Sequence, residues 1–162
     1  RLDSAADGLA FVEQPVPSDD VTGMARVRDA VAADVVADEA CADADDVGRL
    51  ADAGAVDGVN VKIANAGGLV GARAAARVAA DRDLEVLLGG MLELGVGAAA
   101  SAHLGAAVAP TYPTGVFTRF AADLLVTDEA RWSPAGPTLA VPDEPGLGAT
   151  VDRDALERYR LP

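Results

Sequence analysis

Lysine is almost absent from this 162-residue chain: Lys62 stands alone against twelve arginines. Positive charge as a whole is scarce, with 13 Lys plus Arg facing 26 Asp plus Glu and a net charge of −13. A field of that sign repels nucleic acid and anionic lipid surfaces, which excludes both as natural partners. Cysteine is limited to Cys41, so no internal disulfide can form, and a reducing, cytoplasmic compartment is expected. Aromatic residues make up only 4% of the chain. No uninterrupted apolar stretch reaches the ~18 residues of a membrane span, and no charged-then-apolar leader opens the sequence. Alanine and aspartate dominate, with arginine in place of lysine, a composition found in high-salt cytoplasm and in GC-rich genomes alike. An apolar share of 51% is enough for a packed core.

Four short apolar runs recur about every 24 residues: LAFV (9–12), DVVA (34–37), GVNVKIA (58–64) and LEVLL (84–88). Between them lie alanine-rich amphipathic segments with helix-start signals. Ser18, Asp19 and Asp20 predict a helix running through Ala33, Asp43 or Asp45 one through Ala53, and Gly67–Ala80 a third. A fourth, LGVGAAASAHLGAAV (94–108), follows the last run. Strand then helix, repeated at a period long enough for a crossover, specifies an α/β fold with parallel strands. Residues 1–109 therefore read as four βα units of a partial (β/α) barrel. Residues 110–162 read as a last strand region, ADLLVT, followed by a Pro- and Gly-rich tail and a short helix from Asp152. A closed eight-stranded barrel needs roughly 200–250 residues, so this chain supplies only about its second half. The opening RLDSAADG reads as a helix end running into an apolar strand, and the expectation is a chain that begins inside a larger protein.

In a parallel barrel the chemistry gathers at the C-terminal ends of the strands. Here each run is followed by, or contains, a charge: Glu13, then Asp38 and Glu39, then Lys62, then Glu93 beyond GGM. Two carboxylates from adjacent strands suit a hard divalent cation, which takes oxygen ligands and keeps waters for a substrate to displace. They are one short of the usual protein share. Lys62 reads as lying within its strand, with Asn60 on the same face and Val59, Val61 and Ile63 on the other. Burial disfavours an ammonium, which is what a general base working near neutrality requires. A lone strand lysine is also compatible with a Schiff-base aldolase, although that leaves Glu13 and Asp38 without a joint task. His103, Cys41, Trp132, Tyr112 and Phe117 read as packing residues, His103 against a neighbouring helix, and the GG of IANAGG as a tight loop rather than a phosphate cradle.

The ordered series FVEQPV, VVADEA, VNVKIANAGG, GGMLELGVGAAASAHLGAA and VPDEPGLGATVD resembles the muconate lactonizing enzyme subgroup of the enolase superfamily. The resemblance runs from residue 9 to residue 152 and implies a C-terminal portion of a two-domain enzyme, a barrel with a capping domain to which the tail returns. It implies that Glu13 and Asp38 are two of three carboxylate ligands to Mg²⁺ (or Mn²⁺) and that Lys62 is one of the acid/base lysines. Glu39, Asn60 and Glu93 would then support those ligands or face the substrate. The implied reaction is abstraction of a proton α to a carboxylate through an enediolate, with a small-molecule carboxylate as substrate. The DLLVTDEARWSPAGPTLAVPDEPGLG stretch aligns most naturally with muconate-type cycloisomerases. Dipeptide epimerase and o-succinylbenzoate synthase of the same subgroup are the alternatives, since VNVK is similar to the epimerases while the paired aspartates of their last strand have no match in VAPTYPTGVFTRF. The family's first metal aspartate and paired-lysine motif have no counterpart in this chain. A fragment of a longer, homo-oligomeric enzyme is expected; alone, the chain is expected to be an inactive half barrel.

Overall fold

Three-residue and four-residue strands suffice here because each is held on its neighbours by evenly spaced parallel ladders. The computed structural model describes residues 8–133 and 136–161. Its sheet has the order β1 (Phe11–Glu13), β2 (Asp34–Ala37), β3 (Gly58–Val61), β4 (Glu85–Leu88), all parallel. The register pairs Glu13 with Val36, Ala37 with Val59 and Val61 with Leu88. Sequential strands joined by helices are what the 24-residue period demanded, and the fold class is α/β.

The crossovers are α1 (Val21–Arg28), α2 (Ala44–Asp52) and α3 (Leu69–Ala80). Asp20 caps α1 by accepting from Gly23 N, and Asp43 caps α2 by accepting from Asp45 N and Asp46 N. Each cap satisfies amides that the first helical turn leaves without partners. α3 starts after Gly67 and Gly68, whose φ angles of 72° and 113° suit residues without Cβ, so the GG is a tight loop. α1 is shorter than expected: it stops at Arg28, and residues 29–33 instead form the turn that brings Asp34 level with Phe11.

The chain divides into two compact units. The first holds the described residues up to Gly89 with Pro110–Thr114. Its helices α2 and α3 pack on each other, and α3 lies against β3 and β4. Val35, Val36, Val47, Leu50, Val59 and Ala72 are wholly buried there. Thr111 covers the backbone of β4, its Oγ1 accepting from Val86 N (2.8 Å) and its own N donating to Val86 O (3.0 Å). The second unit is Gly90–Ala109 with the described part of Gly115–Pro162. It contains α4 (Gly95–Val108), a 3₁₀ turn (Thr118–Phe120), α5 (Glu129–Trp132) and α6 (Arg153–Arg158). Its core is Ala98, Ala99, Leu124, Val126 and Trp132. ADLLVT forms no strand; Val126 makes only an isolated antiparallel bridge with Val151.

Candidate functional site

Glu13 is the last residue of β1, Asp38 follows β2, Asn60 lies in β3 and Lys62 follows it. Lys62 was expected inside the strand. The ladder instead ends at Val61, and the Lys62 carbonyl accepts Ala66 N in the turn that follows. Two charge-assisted contacts tie the strands together. Lys62 Nζ donates to Asp38 Oδ2 at 2.6 Å, and Asn60 Nδ2 donates to Glu13 Oε1 at 2.7 Å. Asn60 and Lys62 are two residues apart and both reach carboxylates, so the four side chains share one face of the sheet, while Val59 and Val61 alternate to the other.

The Lys62–Asp38 pair is largely out of water, with side-chain exposures of 13% and 12%. At that burial an ammonium and a carboxylate hold each other firmly, since removing either leaves an uncompensated charge. Asp38 Oδ1 and Asn60 Oδ1 are buried with no hydrogen-bond partner among the described residues. Buried acceptors are ordinarily satisfied, so these two oxygens are open to a further donor or ligand. Gly89 gives Asn60 its room: a Cβ there would fall 2.3 Å from Asn60 Oδ1. Glu13 is exposed, as is Glu39 beside Asp38.

Glu93 belongs to the second unit, where its Oε1 accepts from Met91 N at 2.8 Å. Among the described residues no group of three or more His, Cys, Asp and Glu side chains is placed to hold a metal ion. The pair Glu13 and Asp38 nevertheless fits part of an oxygen-donor set, because Asp38 Oδ1 is a buried anionic oxygen left without a donor.

Cys41 is buried in the loop that follows Asp38. Its Sγ donates toward the carbonyls of Ala37 and Asp38 (3.2 and 3.1 Å), and burial pushes the thiol up from 9.0 to about 12. It packs as a small buried side chain. Trp132 is fully buried in the second unit's core. His103 Nε2 donates to the Leu147 carbonyl at 3.2 Å, in the PGLG turn. Sequence reasoning read Tyr112 as a packing residue but missed its hydrogen bond, and it missed Gln14. Tyr112 donates its hydroxyl to Asp34 Oδ2 at 2.5 Å and lies against the Phe11 ring. Gln14 bonds the loop that carries Asp38. The EQP triplet was the available signal for Gln14; nothing local announces Tyr112, whose partner is 78 positions away.

Comparison with known proteins identifies the family of this chain. Among curated relatives, an o-succinylbenzoate synthase of Geobacillus stearothermophilus is 34% identical over 154 residues, covering 94% of this chain and 40% of that enzyme. Muconate cycloisomerase 1-2 of Acinetobacter lwoffii is 36% identical over 156 residues, with the same two coverages. L-Ala-D/L-Glu epimerase of Bacillus subtilis is 31% identical over 153 residues. The chain thus spans about 40% of the length of these relatives. The crystal structure of a muconate lactonizing enzyme from Klebsiella pneumoniae superposes with a TM-score of 0.89 at 32% identity, over 99% of this chain and 45% of that one. The family of enolase C-terminal domain-like proteins matches residues 1–155, and with four parallel strands delivering acid and amine to one face, the chain belongs to that family.

Proposed function

We propose that this chain supplies part of the active site of an enzyme that abstracts the proton α to a carboxylate. The observation that carries the reading is the four-member set on one sheet face, Lys62 on Asp38 and Asn60 on Glu13. Its named relatives act as a synthase, a cycloisomerase and an epimerase, and a shared enediolate, formed or quenched by proton transfer at the α-carbon, suits all three. Muconate-like cycloisomerisation is the outcome we favour, with dipeptide epimerisation and o-succinylbenzoate synthesis as the alternatives. The enzyme is proposed to work in the cytoplasm on a small-molecule carboxylate, within a longer polypeptide.

A hydrogen beside a carboxylate is far less acidic than any side chain, so its removal needs charge stabilisation in place before the bond breaks. Glu13 and Asp38 would hold Mg²⁺ or Mn²⁺, which when bound supplies positive charge opposite the carboxylate that gains negative charge. Lys62 holds the proton at Nζ: as the free amine it takes the α-proton, and as the ammonium it returns one. Asp38 fixes where that nitrogen sits. Asn60 fixes Glu13 through one amide hydrogen and leaves Oδ1 directed at Gly89.

The test is Lys62→Ala in the complete protein, assayed by exchange of α-deuterium in candidate carboxylates. Loss of exchange by about 10²–10⁴-fold is expected for removal of a positioned base. Exchange that survives the substitution at the wild-type rate defeats the proposal. Borohydride trapping of a substrate on Lys62, without sensitivity to chelators, would replace it with Schiff-base chemistry.

A further inference from the structure

We propose that Gln14 is a positioning residue that sets the spacing between the two carboxylates, a role that rests on the reading of Glu13 and Asp38 as cation ligands. Gln14 directly follows Glu13, and the β1–β2 ladder ends at the Glu13–Val36 pair. Beyond it one more backbone bond and then the Gln14 side chain carry the connection. Gln14 N donates to Val36 O at 2.9 Å, while Gln14 Oε1 accepts from both Asp38 N (2.8 Å) and Ala40 N (3.2 Å). Its Nε2 donates to Val16 O at 2.9 Å, which fixes the amide plane. The backbone at Gln14 is left-handed, with φ of 39°. A non-glycine residue there costs on the order of 1–2 kcal/mol and persists only where its surroundings hold it.

The consequence falls on Asp38. Its amide is gripped by Gln14 from the β1 side, and its carbonyl accepts Cys41 N (3.0 Å) from the other. With both backbone groups fixed, the carboxylate has little freedom left: Oδ2 meets Lys62 and Oδ1 stays without a partner. One residue therefore joins the loop bearing Asp38 to the strand end bearing Glu13. The two proposed ligands, at the ends of neighbouring strands, are thereby joined beyond the last ladder pair.

The experiment compares wild type, Gln14→Met and Gln14→Glu in the complete protein, titrated with Mn²⁺ and read by the spin-resonance signal of the free ion, with melting temperatures in parallel. Met keeps the length and loses the acceptor; Glu keeps an acceptor for both amides, loses the donor to Val16 O and adds a negative charge that by itself favours the cation. We expect Gln14→Met to weaken Mn²⁺ binding roughly 10–100-fold, the usual consequence of removing a ligand's outer support, and Gln14→Glu to recover most of that loss. Where Gln14→Met folds poorly, Gln14→Asn, which retracts the same amide by one methylene, takes its place with the same expected drop. A lower melting temperature with Mn²⁺ affinity unchanged in the folded protein makes Gln14 structural only and overturns the proposal. Mn²⁺ affinity that ignores Glu13→Gln and Asp38→Asn as well removes the ligand reading, and this inference with it; affinity that falls for those two but not at Gln14 removes the inference alone.

Discussion

The two units of the chain are stabilised in different ways. In the first, apolar residues are small, numerous and repeated: valines on the strands and alanines on the helices, buried in register. Its polar groups are placed by the same repeat, so Glu13, Asp38 and Lys62 arrive at successive strand ends without any special loop. The second unit has one long helix of small residues and a succession of turns. Its core gathers around a single large side chain, Trp132, together with Leu124 and Val126. The start of α4 comes so close to the 124–126 segment that a Cβ on Gly95 would fall 2.4 Å from Val126. Periodic structure distributes both stability and function over many residues; irregular structure concentrates stability in few.

That contrast can be broken experimentally. The largest expected effect is Trp132→Ala, which empties the centre of the second core and costs about 3–5 kcal/mol. Calorimetry should show that loss in the transition involving the second unit; a cost below about 1 kcal/mol, the level of an ordinary surface change, would mean that its turns hold themselves. In the first unit the informative substitution is at a helix start. Asp43→Ala removes the acceptor for two amides of α2 and should cost about 0.5–2 kcal/mol in urea denaturation. An effect as large as that at Trp132 would contradict distributed stability.

The smallest effect expected is alkaline. Tyr112 has its pKa raised by burial, then by its hydrogen bond to Asp34 and the negative charges of Asp34, Glu85 and Asp57. A group raised on folding contributes its full stability below the unfolded value near 10 and loses it as pH rises beyond. Thermal melts should therefore fall more steeply above pH 10 in wild type than in Tyr112→Phe, which has no proton to lose. Parallel curves would show that Tyr112 carries no such linkage.

The sequence was most readable where it repeated. The four runs, their spacing and the caps at Asp20 and Asp43 are local signals, because strand period, helix period and capping act over a few residues. The charges at the strand ends were visible for the same reason. Boundaries were less so: the lysine-bearing run looked like strand to Ala64, yet it leaves the sheet after Val61, since β4 offers Val61 its last ladder partner at Leu88. ADLLVT had a strand's composition and found no sheet to join. His103 reaches a carbonyl 44 positions away, which nothing local announced.

By itself the sequence determined the α/β alternation, the parallel order of the strands and which residues could bring acid, amine and amide to the strand ends, because these follow from spacing along the chain. Only the tertiary structure decided which of them meet. Lys62 pairs with Asp38, Asn60 with Glu13, Gln14 with the Asp38 loop and Tyr112 with Asp34, each across 24 to 78 positions. Such meetings depend on register and on the direction of each side chain once the strands are laid side by side, and neither is written in any local stretch of residues.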